Sequence, residues 1–179
     1  MKFSSAIRRF ALALILFSAQ WSYAQQMYQK SVGLRLGSPL SISYKAFLDE
    51  ENAFEAYLGI HRQTSTLNYA SVGLAYLRQQ NMSELLTEWA LPAVKNLQYY
   101  YGGGVSGYFW HRDGSPQGPL SNTSWGVQGH VGVEYMLKNQ PVTIGLEWTP
   151  NLMWGFRSQR NLGLGNHTLT IRYTLGGSR

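Results

Sequence analysis

Three side chains, those of His130, Glu134 and Glu147, are the groups of this sequence best suited to acid–base chemistry. A carboxylate beside an imidazole orients the ring and favours its charged form, so a His–Glu pair can transfer protons. The competing interpretation is that these groups are paired charges that fill a narrow protein interior. We favour the structural interpretation, because an interior filled with side chains has no room for a substrate.

Two further groups lie in segments that we predict to be loops. His111-Arg-Asp-Gly-Ser115 contains a histidine, an acidic residue and a serine, but catalytic triads are defined by a geometry that a short loop does not fix. Guanidinium groups that suit phosphate binding are carried by Arg112, Arg157 and Arg160. A plain solvated loop is the alternative for both groups. We find no spacing typical of metal ligands or of a phosphate-binding loop, and we expect no catalytic residue, metal or cofactor.

The composition points away from a soluble domain with a charged surface. Charged residues make up 13% of the 179 residues, whereas a typical soluble domain has about 25%. Glycine and aromatic residues are abundant instead, with 19 Gly, 12 Tyr and 6 Trp. The absence of cysteine from the sequence excludes disulfides, thiolate metal sites and a cysteine nucleophile.

Residues 1–24 have the three-part layout of a secretory signal peptide. Basic residues precede the apolar run 10–17, which is much shorter than the roughly 20 residues of a membrane-spanning helix. Small residues, Ser22 and Ala24, then precede the expected cleavage site. We therefore expect one domain over residues 25–179, with an uncleaved N-terminal anchor as the alternative. Cleavage removes three of the 15 basic residues and leaves 12 against 9 acidic ones, without the basic cluster that nucleic-acid binding requires.

The remaining chain alternates apolar and polar residues with a period of two, which is typical of strands that have two different faces. The segment 125–138 shows the pattern most clearly, because its odd positions are mostly apolar and its even positions are mostly polar or Gly. The pattern predicts eight strands, at 31–38, 40–48, 53–61, 69–79, 96–110, 125–138, 142–149 and 166–175. Polar loops are predicted near 62–68, 111–123 and 156–165. Residues 83–96 fit either a short helix or a long turn.

The nature of the polar face separates a soluble barrel from a membrane barrel. A soluble barrel would show many charges to water, whereas a membrane barrel turns its polar face inward. Here that face is mostly Gly, Ser, Thr and Gln, with about one charge per strand, as a narrow closed interior requires. We name this predicted set the lumen charge cluster, and its members are Arg35, Lys45, Glu55, His130, Glu134, Glu147 and Arg172. On the apolar face, aromatic residues fall near predicted strand ends, as in the aromatic girdles of membrane barrels: Tyr44, Tyr99, Tyr101, Phe109, Trp125, Tyr135, Trp148 and Tyr173.

Four segments give the sequence a resemblance to a known family. They are 100–104 with 107–110, 132–135, 144–150 and 170–175, which combine glycine and aromatic residues with alternating strands. In these segments the chain resembles the small eight-stranded outer-membrane β-barrel proteins of Gram-negative bacteria, in particular uncharacterised versions from Bacteroidetes. The resemblance covers nearly all of residues 25–179, and it implies a fold and a location without an agreed activity.

The sequence thus predicts an all-β, eight-stranded antiparallel up-and-down transmembrane β-barrel in the outer membrane, preceded by a cleaved signal peptide. We expect a non-enzymatic structural or surface-interaction role. The expected partners are outer-membrane lipid, lipopolysaccharide, the barrel-assembly machinery and an unknown protein or surface that the outer loops contact. The alternatives are a membrane-embedded lipid-modifying enzyme that uses His111 or His130, a soluble exported barrel that binds an apolar ligand, and a channel.

Overall fold

A computed structural model describes residues 28–62, 67–82, 96–112, 123–155 and 158–177 of the chain. Their regular structure consists of eight β-strands. The strands are β1 (Tyr28–Leu36), β2 (Leu40–Phe47), β3 (Asn52–Arg62), β4 (Leu67–Asn81), β5 (Leu97–Arg112), β6 (Thr123–Met136), β7 (Val142–Gly155) and β8 (Ser158–Gly177). Across these ranges, no helix is both long enough and apolar enough to cross a membrane.

The strands form a closed antiparallel barrel in which each strand pairs with its neighbours in the sequence. Closure comes from pairing of β1 with β8, in a register that runs from Tyr28 opposite Gly177 to Leu36 opposite Leu169. Over the length of the β1–β8 register, this closure leaves no strand edge without a partner. We call the end of the barrel that holds Tyr28 and Gly177 the terminal end, and the opposite end, where β1 turns into β2, the loop end.

The predicted all-β, eight-stranded antiparallel barrel is confirmed, and six of the predicted strands agree with the observed bounds to within a few residues, whereas β7 and β8 are longer than predicted. The predicted loop at 156–165 is wrong over most of its length, because β8 begins at Ser158. This part of β8 pairs with β7 alone, since the β1 register stops at Leu36 opposite Leu169. A ribbon with one neighbour does not need two distinct faces, so the alternation that predicts a strand is missing there.

The longer β7 also changes the position of one predicted interface aromatic. Trp148 was placed at the end of a strand that stops at 149, but β7 continues to Gly155 and leaves Trp148 in its middle. Tyr44 likewise lies in the middle of β2. The ladder between β7 and β8 is irregular from Thr149 to Asn151. Pro150 between them has no N–H to donate, which is why a bulge can occur at this point.

The two faces of the barrel have the orientation that the alternation predicted. The apolar set of every strand points outward, and Leu58, Ile60 and Leu146 are 58%, 68% and 61% exposed. The polar set points inward, where Lys45, Glu55 and Arg172 are each 0% exposed. The hydrophobic core of an ordinary domain is therefore replaced by a polar interior, apart from small apolar clusters.

Inward-facing glycines make this narrow interior possible. A side chain at Gly73 would overlap the ring of Tyr57, and one at Gly132 would come within 2.5 Å of Tyr100 Cζ. Large side chains from one strand thus occupy the space that a glycine leaves on another. Leu77, which interrupts the sequence alternation, also points inward and packs with Ala75 and Tyr100 in a buried apolar cluster.

Candidate functional site

The lumen charge cluster is a connected set of ion pairs in which every carboxylate has more than one partner. Glu55 on β3 lies between two arginines from other strands. Arg172 Nη2 is 2.8 Å from Glu55 Oε1 and 3.1 Å from Oε2, and Arg35 Nη1 is 3.2 Å from Oε1. Because all three side chains are buried, each charge depends on these partners for the stabilisation that water would otherwise supply.

Glu134 holds the part of the cluster nearest the terminal end. Lys45 Nζ lies 3.2 Å and Arg172 Nη1 lies 3.3 Å from Glu134 Oε2. The hydroxyl of Tyr28 donates to Oε1 of the same carboxylate over 2.7 Å. Lys45 also donates to Gln79 Oε1, so its ammonium group has two acceptors in an interior without bulk water.

Glu147 is the third carboxylate, and it contacts the histidine that the sequence pointed to. Arg35 Nη2 is 2.5 Å and His130 Nδ1 is 3.2 Å from Glu147 Oε1. Tyr100 donates to Oε2 over 2.8 Å. Glu134 makes its contacts with other groups, so the structure brings His130 together with Glu147 and places Glu134 elsewhere in the cluster.

A small cavity lies beside the cluster in the described part of the lumen. The lumen cavity that reaches from Arg35 toward the loop end, past Tyr57 and Tyr108, has a volume of about 20 Å³. A cavity of that size holds about one water molecule. Neither His130 nor Glu147 lines this cavity, and both side chains are 0% exposed. The pair therefore has the residue types for proton transfer, but its burial favours a structural role.

An aromatic cluster lies inside the barrel near the loop end. The ring of Tyr69 lies 4.8 Å from that of Trp110, in a tilted arrangement, and 5.5 Å from that of Tyr108, edge to face, measured between centroids. The indole N–H of Trp110 donates to Ser124 Oγ over 3.0 Å, and Asn151 Nδ2 donates to the hydroxyl of Tyr108 over 2.7 Å. These rings cover the charge cluster from the loop end with amphipathic groups, whose polar atoms remain hydrogen-bonded.

A serine and a histidine meet at the rim beside this aromatic cluster. Ser38 Oγ lies 3.1 Å from His61 Nδ1 and 3.4 Å from Nε2. Similar distances to both ring nitrogens place the hydroxyl opposite the ring edge between them. A general base needs one nitrogen in line with the hydroxyl that it deprotonates, so this contact does not have the geometry of a catalytic dyad.

The predicted loop residues are described only in part. His111 lies on the outer face of β5 and is exposed, whereas Asp113 and Ser115 lie outside the described residues. The backbone of Arg112 is part of β5 and that of Arg160 is part of β8, but the side chains of both are outside the described part. Arg157 lies outside it entirely. The predicted signal peptide at 1–24 and the segment 83–95 are outside it as well. Within the described ranges, no three His, Asp or Glu side chains are arranged to hold a metal ion.

Several interior partners of the charge cluster were missed by the sequence analysis. Tyr28 precedes the predicted first strand, and Tyr100 lies in a segment whose glycines and tyrosines obscure the alternation. Gln79 and Gln98 are also buried, and Gln79 Nε2 donates to Gln98 Oε1. An uninterrupted period of two through 76–81 and 97–101 would have placed the two glutamines and Tyr100 on the inward face.

Comparison with known proteins gives a match in structure. No protein family matches the sequence, and no curated protein matches it either. Among solved structures, the chain is similar to Neisserial surface protein A (NspA), with a TM-score of 0.58 and 16% sequence identity. The match covers 82% of this chain and 93% of that protein. The likeness supports the eight-stranded barrel fold, and the resemblance to Bacteroidetes proteins stays a prediction.

Proposed function

We propose that the chain is an outer-membrane β-barrel protein with a structural or surface-interaction role and without catalytic activity. The observation that carries this proposal is the apolar outer face of a closed barrel. Large hydrophobic side chains are exposed on all eight strands, among them Leu34, Ile42, Leu58, Leu74, Val105, Val127, Leu146 and Leu169. Such a continuous apolar surface is far larger than the patches that soluble monomers expose.

The interior supports the same assignment. A soluble barrel would keep its apolar residues inside and its charges outside, which is the reverse of the distribution seen for Ile60 and Glu55. In a lipid bilayer, the closed sheet satisfies every strand through its neighbours, and the inward charges are removed from the hydrocarbon. The soluble alternative with an apolar ligand cavity is therefore disfavoured by the direction in which these side chains point.

The role at the surface is inferred from three features. The filled interior disfavours a channel, and the geometry of Ser38 and His61 disfavours an enzyme. The similar structure is that of a protein named a surface protein, Neisserial surface protein A, which is consistent with contacts made at the cell surface. We propose that lipopolysaccharide, or a protein or other surface, contacts the loops at the loop end, and that Arg112, Arg157 and Arg160 of the sequence supply the positive charge for this contact. Insertion would depend on export by residues 1–24 and on the barrel-assembly machinery.

The test is to express the full chain in a Gram-negative host and to separate inner membrane, outer membrane and soluble fractions. The outer-membrane fraction is then run on SDS gels with and without boiling. A closed membrane barrel resists SDS until it is heated, so we expect the protein in that fraction and two different mobilities. A variant that lacks residues 2–24 is the control for export, and we expect it to remain outside the envelope.

Recovery of the full chain as a soluble monomer without detergent would overturn the membrane assignment. Conductance in planar bilayers would overturn the filled interior and revive the channel. Altered lipid A in cells that produce the protein, lost on replacing His61 or His111 with Ala, would overturn the non-enzymatic role.

A further inference from the structure

We propose that a groove on the outer face of the barrel, at the loop end, binds one anionic lipid molecule of the surrounding membrane. In this arrangement an acyl chain lies over Ala70, and the phosphate of the headgroup contacts Arg62 and His111. The proposal rests on the membrane location proposed above and names a partner and a site for it.

The floor of the groove is one outward row of side chains that crosses four strands. Leu40 pairs with Ile60, Ile60 pairs with Ala70, and Ala70 pairs with Phe109. Ile60 is 68% exposed and Phe109 is 38% exposed, while Ala70 between them has only a methyl group. A small residue between two large ones makes a depression in the surface.

The groove has the size of a lipid site. Its volume is about 740 Å³, within the range of roughly 300–1,000 Å³ that is typical of ligand pockets. The walls beside Ala70 are aliphatic on one side, at Leu40 and Ile60, and aromatic on the other, at Phe109. An acyl chain is the ligand that matches such a surface, since it buries apolar area and requires no hydrogen bonds.

A polar row lies directly above this floor. Arg62 pairs with Asn68, and Asn68 pairs with His111, so these three outward residues follow the apolar row toward the loop end. Two residues along a strand span about 7 Å, so the polar row lies about that far from the apolar floor, toward the loop end. All three polar residues also line the groove.

The charges of this row select the headgroup. The residues that line the groove include Arg62, with its guanidinium, and His111, with its imidazole. Arginine forms charge-assisted bonds to phosphate oxygens, which are stronger than bonds between neutral groups. The row therefore complements a phosphate, whereas the quaternary ammonium group that a phosphatidylcholine headgroup carries beside its own phosphate would be repelled by Arg62.

Native mass spectrometry of the folded barrel in detergent micelles tests the site. The probes are dioleoyl phosphatidic acid and dioleoyl phosphatidylcholine, which share their acyl chains and differ in headgroup charge. We expect one equivalent of phosphatidic acid to remain bound with about tenfold preference over phosphatidylcholine. Arg62→Gln and His111→Gln should each reduce this preference several-fold, and Arg62→Lys should keep most of it.

The apolar floor is tested separately from the charges. Ala70→Leu fills the depression without changing charge, and we expect it to release the bound lipid. Ala56→Leu is the matched control, because Ala56 is also an exposed outward alanine but lies outside the groove. Lys138→Gln, in the turn at the terminal end, is the control for loss of a positive charge. The unboiled gel mobility of each variant shows that its barrel is folded.

Equal retention of the two lipids, or equal losses in Ala56→Leu and Ala70→Leu, would overturn the groove assignment. Displacement of phosphatidic acid by millimolar inorganic phosphate, with binding intact in Ala70→Leu, would also overturn it, because a phosphate site without a chain site would remain. A failure of the membrane location is recognised independently, by the fractionation and gel experiments above.

Discussion

Arg172 on β8 forms a two-oxygen ion pair with Glu55 on β3, at 2.8 and 3.1 Å, across the interior of the barrel. The two residues are 117 positions apart in the sequence and lie on strands that do not pair with each other. The contact therefore links two non-neighbouring strands of the barrel wall, β3 and β8, across the lumen. Glu55 also accepts from Arg35, so this carboxylate compensates two buried cations.

Glu55→Gln should destabilise the barrel strongly, because it leaves Arg172 and Arg35 without their shared counter-charge. We expect a loss of about 3–5 kcal/mol in the free energy of unfolding, the usual effect of breaking a buried ion pair. Urea unfolding in lipid vesicles, followed by tryptophan fluorescence, measures this loss. Glu51→Gln is the matched control, because Glu51 pairs with Arg78 at 2.6 Å in a more exposed position. That variant should lose at most about 1 kcal/mol, and equal losses for the two variants would contradict the structural role of the cluster.

Two adjacent glycines should respond differently to alanine. A Cβ at Gly102 would overlap the carbonyl oxygen of Tyr76 and lie 2.9 Å from Leu77 Cα, whereas a Cβ at Gly103 has Gln128 O at 3.6 Å. Gly102→Ala must therefore move backbone atoms, and we expect it to lower the free energy of unfolding by about 1–3 kcal/mol. Gly103→Ala should stay within about 0.5 kcal/mol of the native protein in the same measurement. Similar values for both would show that the interior is looser than these distances indicate.

A charge placed on the outer face tests what that face contacts. Val105 points outward from the middle of β5 and is 58% exposed. In a bilayer, Val105→Arg should destabilise the barrel by about 2–4 kcal/mol, because the guanidinium must enter hydrocarbon. Val105→Ile keeps the face apolar and should leave unfolding in vesicles unchanged. An arginine variant as stable as the isoleucine variant would mean that water covers this face.

The turn between β2 and β3 should make a contribution to stability that depends on pH. The side-chain amide of Asn52 donates hydrogen bonds to the carboxylate of Asp49. The backbone N–H groups of Glu51 and Asn52 donate to the same carboxylate. These bonds lower the pKa of Asp49 below its usual value. A lowered pKa means that the contribution is fully present above the ordinary aspartate pKa of about 3.9. It is lost as the pH falls through the lower pKa of the folded protein.

Asp49→Ala should therefore lower stability at pH 7, and the difference from the native protein should shrink in strong acid. Urea unfolding at a series of pH values from neutral to acidic measures it. Glu50→Ala, at the neighbouring exposed position, controls for the loss of one negative charge. A difference between Asp49→Ala and the native protein that grows as the pH falls would contradict the assigned bonds.

The barrel could be predicted from the sequence because a strand whose two faces lie in different environments alternates apolar and polar residues. In β3 the alternation of Phe54, Glu55, Ala56 and Tyr57 specifies the face of every side chain. Pairings inside the lumen could not be predicted, since they depend on how opposite strands are staggered. Glu55 and Arg172, on β3 and β8, are such a pair. The sequence analysis also grouped Glu134 with His130 and Glu147, but Glu134 lies four residues from His130 on β6, about 13 Å along the strand, and only Glu147 contacts the histidine.

The features that could not be predicted from the sequence share a physical cause. The groove over Ala70 results from four residues that adjoin only through strand pairing, at positions 40, 60, 70 and 109. The first part of β8 has a single neighbouring strand and therefore no reason to alternate. Periodicity detects the environment of a strand, whereas grooves and ribbon extensions depend on the neighbours of that strand.

Pairing of β1 with β8 makes the two ends of the described chain members of one ladder. A shortened chain without Ser158–Gly177 would leave β1 and β7 as open edges, each ready to recruit a strand from another molecule. The whole chain therefore folds together, and the barrel closes only after its last strand has been delivered. A transport step that keeps the earlier strands unpaired until β8 arrives would prevent them from pairing with strands of other molecules. Delivery and folding of this protein must therefore be timed together.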